Sequence, residues 1–360
     1  MGIDLAAASN ILIWSAMVVY TVAMYFFAAE LAFAPRHRPD PALPPRGDQA
    51  VSHHLSGDHA MHHQSLGDHA MHNQPARPLV AAGAAATSYG VGSPGARPPG
   101  ASPTEQEIKT QRRGGSAVAL TVLAFLLHSA SVVSRGLDTG RAPWANMYEF
   151  STASSLVATA VFLGLLWRRG DVRYLGLFVV GPVLLVLGIA VRVFYLEADQ
   201  VLPALQSAWI VIHVSAAIIA TGIFTVAASQ TILYLIQERR ERRSARRRSP
   251  SVMNRFPAAA ALDRAAYRMH AFAFPIWTFM VVTGAIWAED AWGRSWGWDP
   301  KEVWAFITWV VYAAYLHARA TAGWRGGRAG LVALVGYSTI LFNYVVVNIW
   351  FSGLHAYGGV

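Results

Sequence analysis

The sequence predicts an all-α fold: a polytopic membrane protein of about eight transmembrane helices with both termini external. Three observations carry this. Of the 360 residues, 54% are hydrophobic and 14% charged, against roughly 25% charged in soluble domains. The apolar residues are gathered in runs near the ~20 residues that a bilayer-crossing helix needs. The Lys and Arg residues collect in alternate loops between those runs.

The runs lie at Asn10–Phe33, Ser116–Ser134, Met147–Trp167, Tyr174–Tyr195, Ser207–Ile236, His270–Ala288, Val303–Ala318 and Ala329–Phe351. Inside lipid only a helix satisfies its own backbone hydrogen bonds, so each run is read as helix. The seventh is the shortest. The first has no basic residue before it and its positive charges follow it, so it is expected to be a membrane helix and not a cleaved signal.

Charge sets the orientation. One set of loops carries 8 Lys and Arg in residues 34–115, 3 around Arg168, 10 in residues 238–268 and 3 in residues 319–328, which makes 24 against 5 in the other set. The first set is therefore expected on the cytoplasmic side. Both termini and the loops 135–146, 196–206 and 289–302 then face outward, in a cell membrane crossed many times. The net charge of +9 reads as topology. No basic stretch is interleaved with aromatics as a single-strand binder requires, so no nucleic-acid partner is expected. The chain has no cysteine, so any thiol it works on belongs to another molecule.

Three parts follow: an N-terminal helix in residues 1–33, a linker in 34–115 and a seven-helix core in 116–358. The linker holds 11 of the 18 prolines and cannot bury enough apolar surface to fold. It contains a repeat, Gly-Asp-His-Ala-Met-His, beginning at Gly57 and again at Gly67. With His53 and His54 this tract has seven of the 13 histidines. It reads as unconstrained low complexity in preference to a metal trap, because a short flexible tract has no defined geometry. The basic segment Arg239–Arg248 reads as an orientation signal that also meets anionic lipid.

The segment with the strongest chemical character is residues 287–309, which hold six of the 13 tryptophans. An interfacial aromatic belt explains Trp at span ends. It does not explain Trp296-Gly-Trp298-Asp-Pro300 flanked by acids. Gly297 is expected to let the backbone approach a ligand, Pro300 to start a helix, and Asp299 to cap it. Trp292, Trp296, Trp298 and Trp304 offer flat apolar faces beside a few charges, which suits a flat amphiphile such as haem. Lys301, Arg294 or Arg141 would neutralise its propionates. His213, in the outer part of the fifth run, and His355, just past the outer end of the eighth, share this face. They are read as axial ligands of the haem iron. His317 and His270 lie toward the inner ends of their runs and His128 lies within the second. These three are a second, inner haem site or interface residues, and packing is favoured for His128 and His270.

Trp298-Asp-Pro-Lys-Glu-Val-Trp304 with Tyr315-Leu-His-Ala-Arg319 resembles the WWD domain of the CcsA/ResC family, the haem-handling half of the System II cytochrome c synthetase. Leu205-Gln-Ser-Ala-Trp-Ile-Val-Ile-His213 and Phe351-Ser-Gly-Leu-His355 resemble the family's two external-histidine segments. Arg141-Ala-Pro-Trp-Ala-Asn-Met-Tyr-Glu149 resembles its outer loop. The likeness covers about residues 116–358. It implies that haem b is a transient, substrate-like ligand gripped outside by His213 and His355, and that His317 supplies one ligand of a haem within the membrane. It also implies a ResB-type partner subunit holding the opposite ligand, and an apocytochrome c whose Cys-x-x-Cys-His thiols add to the haem vinyls. A thiol-reducing protein has a place in such a scheme. Two other functions stay open: a haem-binding redox subunit exchanging electrons with quinol, and a metal-cation transporter fed by the His tract. A thioether-linked product marks the synthetase.

Overall fold

The computed structural model describes residues 4–33, 105–197, 207–244 and 252–355. All fall in one compact unit, and no strand occurs among them. The helices are α1 (Leu5–Phe33), α2 (Glu105–Thr139), α3 (Met147–Arg168), α4 (Gly176–Val193), α5 (Ala208–Ser244), α6 (Ala259–Trp292), α7 (Pro300–Ala320) and α8 (Gly327–Leu341). A 3-10 turn, Gly170–Leu175, leads into α4, and α8 continues through a π-helical segment, Phe342–Val346, to Trp350.

Seven of these helices, α8 taken with its continuation, are long and apolar enough to cross a membrane. The protein is thus an all-α, multi-pass membrane protein. The remaining predicted span, the seventh, is α7, which is not among these because no stretch of it is apolar enough. It packs against α6 and α8. Several helices overrun the apolar runs that announced them. On the Arg-rich side α5 reaches Ser244 and α6 begins at Ala259, because a helix propagates cheaply into water once its apolar part is packed.

Residues 34–104, with the His-rich repeat and most of the segment read as linker, lie outside the described residues. The end of that segment differs from expectation: residues 105–115 form the start of α2. Tertiary contacts hold this extension to α1. Thr110 Oγ1 donates to the Phe33 carbonyl at 3.3 Å, and the Arg113 guanidinium lies 4.7 Å from the Phe33 ring centroid.

The helices α1 and α2 run antiparallel. The hydroxyls of Ser9 and Ser131 each donate to the other's carbonyl, at 2.9 and 2.8 Å. A second antiparallel pair, α5 and α6, shares an aromatic core with α7. There Phe224 stacks on Tyr312 with ring centroids 4.2 Å apart. At the end of the bundle where α2 gives way to α3, Glu149 is 1% exposed. Its carboxylate takes Arg135 Nε at 2.9 Å, Arg141 at 2.8 Å and the Ala145 N–H at 2.8 Å. This cluster fixes the loop between the two helices.

Removing Glu149 strands two guanidinium groups. Glu149→Ala is expected to cost about 3–5 kcal/mol, read as a lower melting temperature in detergent. Glu105→Ala breaks an exposed pair with Lys109 and is expected to cost less than about 1 kcal/mol. Equal shifts in the two variants would refute the structural weight given to Glu149.

Candidate functional site

At this same end of the bundle a cavity of about 600 Å³ opens, within the ~300–1,000 Å³ usual for ligand sites. Six parts of the chain form its wall: the α2–α3 loop with the first turn of α3, the first half of α5, the last half of α6, the start of α7 with its preceding loop, the π-helical end of α8, and the turn that bears His355. A π segment widens a helix locally and turns side chains that a regular helix would aim elsewhere. Here it places Asn343 and Tyr344 on the cavity wall.

His213 projects from α5 onto this wall. Its Nδ1 lies 2.8 Å from the Met280 carbonyl oxygen. A carbonyl only accepts, so Nδ1 carries the proton and the neutral ring keeps its lone pair on Nε2. Gly284 makes this possible: a Cβ there would stand 2.6 Å from His213 Cε1. The ring also stacks on Trp287, 6.3 Å between centroids and 15° between planes.

His355 reaches the same Trp287 from the C-terminal side, with ring centroids 5.8 Å apart. Its Nδ1 lies 2.9 Å from Asp299 Oδ1. In the neutral ring a carboxylate fixes the tautomer as the Met280 carbonyl does, and leaves the lone pair on Nε2. Both histidines are therefore held by one nitrogen and presented by the other.

Asp299 does more than the capping expected of it. With Glu302 it forms a complete capping box at the start of α7, and Pro300 occupies the first turn as expected. Its Oδ2 also accepts the Leu354 N–H at 2.7 Å. One carboxylate thus ties the start of α7 to the turn that bears His355. Burial alone would raise this carboxyl. The hydrogen bond and charge of His355, with the Leu354 and Lys301 N–H groups, outweigh burial and hold it below the usual value.

Glu302 secures the loop before α7. It accepts from the N–H groups of Gly297 at 2.8 Å and Asp299 at 3.1 Å, and pairs with Arg294 at 3.4 Å. Gly297 was expected to admit a ligand. Instead a Cβ at this position would collide with the Arg294 guanidinium, so the glycine makes room for that side chain. Among the cations expected to meet carboxylates, Arg141 is bound to Glu149 and Arg294 to Glu302. Lys301 lines the cavity. Burial holds its ammonium down at about 8, the Asp299 charge opposing that shift.

The predicted residues divide. His213, His355 and Trp296 line the cavity. Trp292 ends α6 and packs edge-on against His355, centroids 4.9 Å apart. Trp304 packs instead on Phe342 at 4.0 Å, bracing the π segment from behind. Trp298 is 69% exposed, and its φ of 59° is the one positive value of a non-glycine among the described residues. His317 is exposed on α7 and lies away from the cavity. His128 and His270 are fully buried: His128 meets Tyr20 edge-on and His270 bonds Thr231 Oγ1 at 3.0 Å. No group of three or more His, Asp or Glu able to hold a metal ion occurs among the described residues.

Sequence reasoning missed Trp287 and Gly284. Trp287 stood inside the Trp-rich stretch but reads as the end of an apolar run. Gly284 carries no local signal, because its role depends on a helix 71 positions away at His213.

Asp299→Asn keeps a capping oxygen and loses the charge. It is expected to destabilise the protein by about 1–3 kcal/mol at neutral pH. The wild-type carboxylate is more acidic folded than unfolded, so its contribution is present above an unfolded value of about 3.9 and is lost as pH falls through the lower folded value. The gap between variant and wild type should accordingly close below about pH 4. A gap that stays constant with pH would show that the charge does not hold His355.

The profile of a family described as cytochrome C assembly protein matches residues 119–355. The cytochrome c biogenesis protein CcsA of Prochlorococcus marinus is 33% identical over 264 residues, 66% of this chain and 83% of the relative. The CcsA of Parasynechococcus marenigrum is 35% identical over 275 residues, 70% and 89% of the two chains. That of Guillardia theta is 31% identical over 261 residues, 66% and 84%. The matched region runs from α2 to His355 and so takes in every wall of the cavity. On these grounds the chain belongs to the cytochrome c assembly protein family and serves cytochrome c biogenesis.

Proposed function

We propose that the cavity receives haem and presents it for covalent attachment to an apocytochrome c. The observation that supports this most is the pair His213 and His355. Each is tied through Nδ1, each has Nε2 available as a ligand, and the two approach Trp287 from different parts of the chain, His213 from α5 and His355 from the C-terminal turn. This is the state in which imidazole binds a metal. The surrounding wall is mostly apolar, with Trp287, Trp296, Met280 and Phe150 on it, and so suits a macrocycle.

In this reading His213 and His355 hold the iron, and Trp287 and Trp296 hold the ring. Each apocytochrome cysteine adds its S–H across a vinyl double bond: sulfur bonds one vinyl carbon, and the proton goes to the other. The chain's part is positioning, which raises the rate by holding the reactants in a near-attack arrangement. The exposed His317, on α7 outside the cavity lining, fits half of a second site completed by a ResB-type subunit. The distribution of Lys and Arg supports a cell-membrane orientation with the cavity on the extracytoplasmic side.

Co-expression with a ResB-type partner and a reporter apocytochrome tests this. His213→Ala and His355→Ala are each expected to reduce thioether-linked cytochrome at least tenfold and to change the absorption spectrum of co-purifying haem. His317→Ala is expected to lower the haem content of the complex. Normal cytochrome yield and unchanged haem in all three would sink the ligand assignments. Reversible quinol oxidation without any thioether product would instead favour a redox subunit.

A further inference from the structure

We infer that the Lys301 ammonium is the seat for a carboxylate of the molecule that the cavity receives. This deepens the haem reading and rests on it. Three cations stand near the site, and two are already engaged: Arg141 by Glu149 at 2.8 Å and Arg294 by Glu302 at 3.4 Å. Among the described residues no carboxylate lies within ion-pair distance of the Lys301 ammonium. Glu302, the nearest in sequence, is taken by Arg294 and by the Gly297 and Asp299 N–H groups, and Asp299 spends its oxygens on the N–H groups of Lys301 and Leu354 and on His355.

Lys301 nonetheless lines the cavity, partly buried on the first turn of α7. Its backbone is pinned from the adjoining π segment, where Asn343 Nδ2 donates to the Lys301 carbonyl at 3.3 Å. A partly desolvated cation without a partner is costly, and a buried charge is ordinarily paired. The geometry therefore lacks one anion on this wall. It lies beside His355, since both residues also line a small recess next to the main cavity. A ligand held through iron by the two histidines would thus bring its polar edge to Lys301 and its apolar body to Trp287 and Trp296. Ligands with a free carboxylate would be chosen over those without.

The test compares iron protoporphyrin IX with its dimethyl ester, in which both carboxylates are capped. Each is titrated into the purified full chain, and binding is followed by the absorption of the histidine-ligated iron. The wild type is expected to bind the diester at least about tenfold more weakly, the size of one charge-assisted hydrogen bond. K301Q should lose that preference while keeping the histidine-ligated spectrum, and K301R should restore it. Equal affinity of the wild type for both forms overturns the proposal, and this comparison needs no variant to fold. A K301Q protein that still discriminates as the wild type does also overturns it. A wild type that binds neither compound refutes the haem reading itself, and the Lys301 assignment with it.

Discussion

The arrangement of the cavity depends on one carboxylate. Asp299 caps α7, accepts the Leu354 N–H and fixes the ring of His355. Without it the start of α7 and the C-terminal turn have no common anchor, and His355 has no defined direction. Because the group is 7% exposed, its hydrogen bonds are shielded from competing water and hold the turn tightly. Glu302, three residues on, does the same for the loop before α7, so the two acids together make a rigid rim out of a segment with no regular structure.

The Glu149 cluster clamps the α2–α3 loop in the same way, at helix ends, whereas the Met280 carbonyl that orients His213 lies within α6. Helix termini are where backbone groups lack partners and where polar side chains can serve them. In a membrane protein they are also where polar chemistry is cheapest, since the middle of each span must stay apolar. A ligand site gathered from several helices and the loops at their ends combines a rigid scaffold with a polar rim.

The strained exception is Trp298. A β-carbon in the left-handed region is disfavoured by about 1–2 kcal/mol, yet the side chain there is mostly exposed and meets only the edge of Trp296 among the aromatic rings described. The conformation is imposed by its neighbours, since the amides of Gly297 and Asp299 both point at Glu302. The sequence Trp296-Gly-Trp298-Asp shows the aromatics but not this turn, which is why all four tryptophans looked alike before the fold was known. Only Trp296 lines the cavity, while Trp292 and Trp304 support its walls.

What the sequence determined alone was set by short-range physics. Bilayer thickness makes each apolar run a helix, the capping chemistry of Asp299-Pro300-Lys301-Glu302 starts α7, and the two histidines fall at the same end as the Trp segment by counting spans. Residues 105–115 escaped that reading, because their helix is held by α1 and not by its own composition. The tertiary structure alone decided which groups meet. That His213 needs Gly284, that Trp287 sits against both histidines, and that Arg141 and Arg294 are engaged while Lys301 is not all depend on contacts between helices distant in the chain. Side-chain pairing across helices is fixed by packing, and packing leaves no mark at any single position of the sequence.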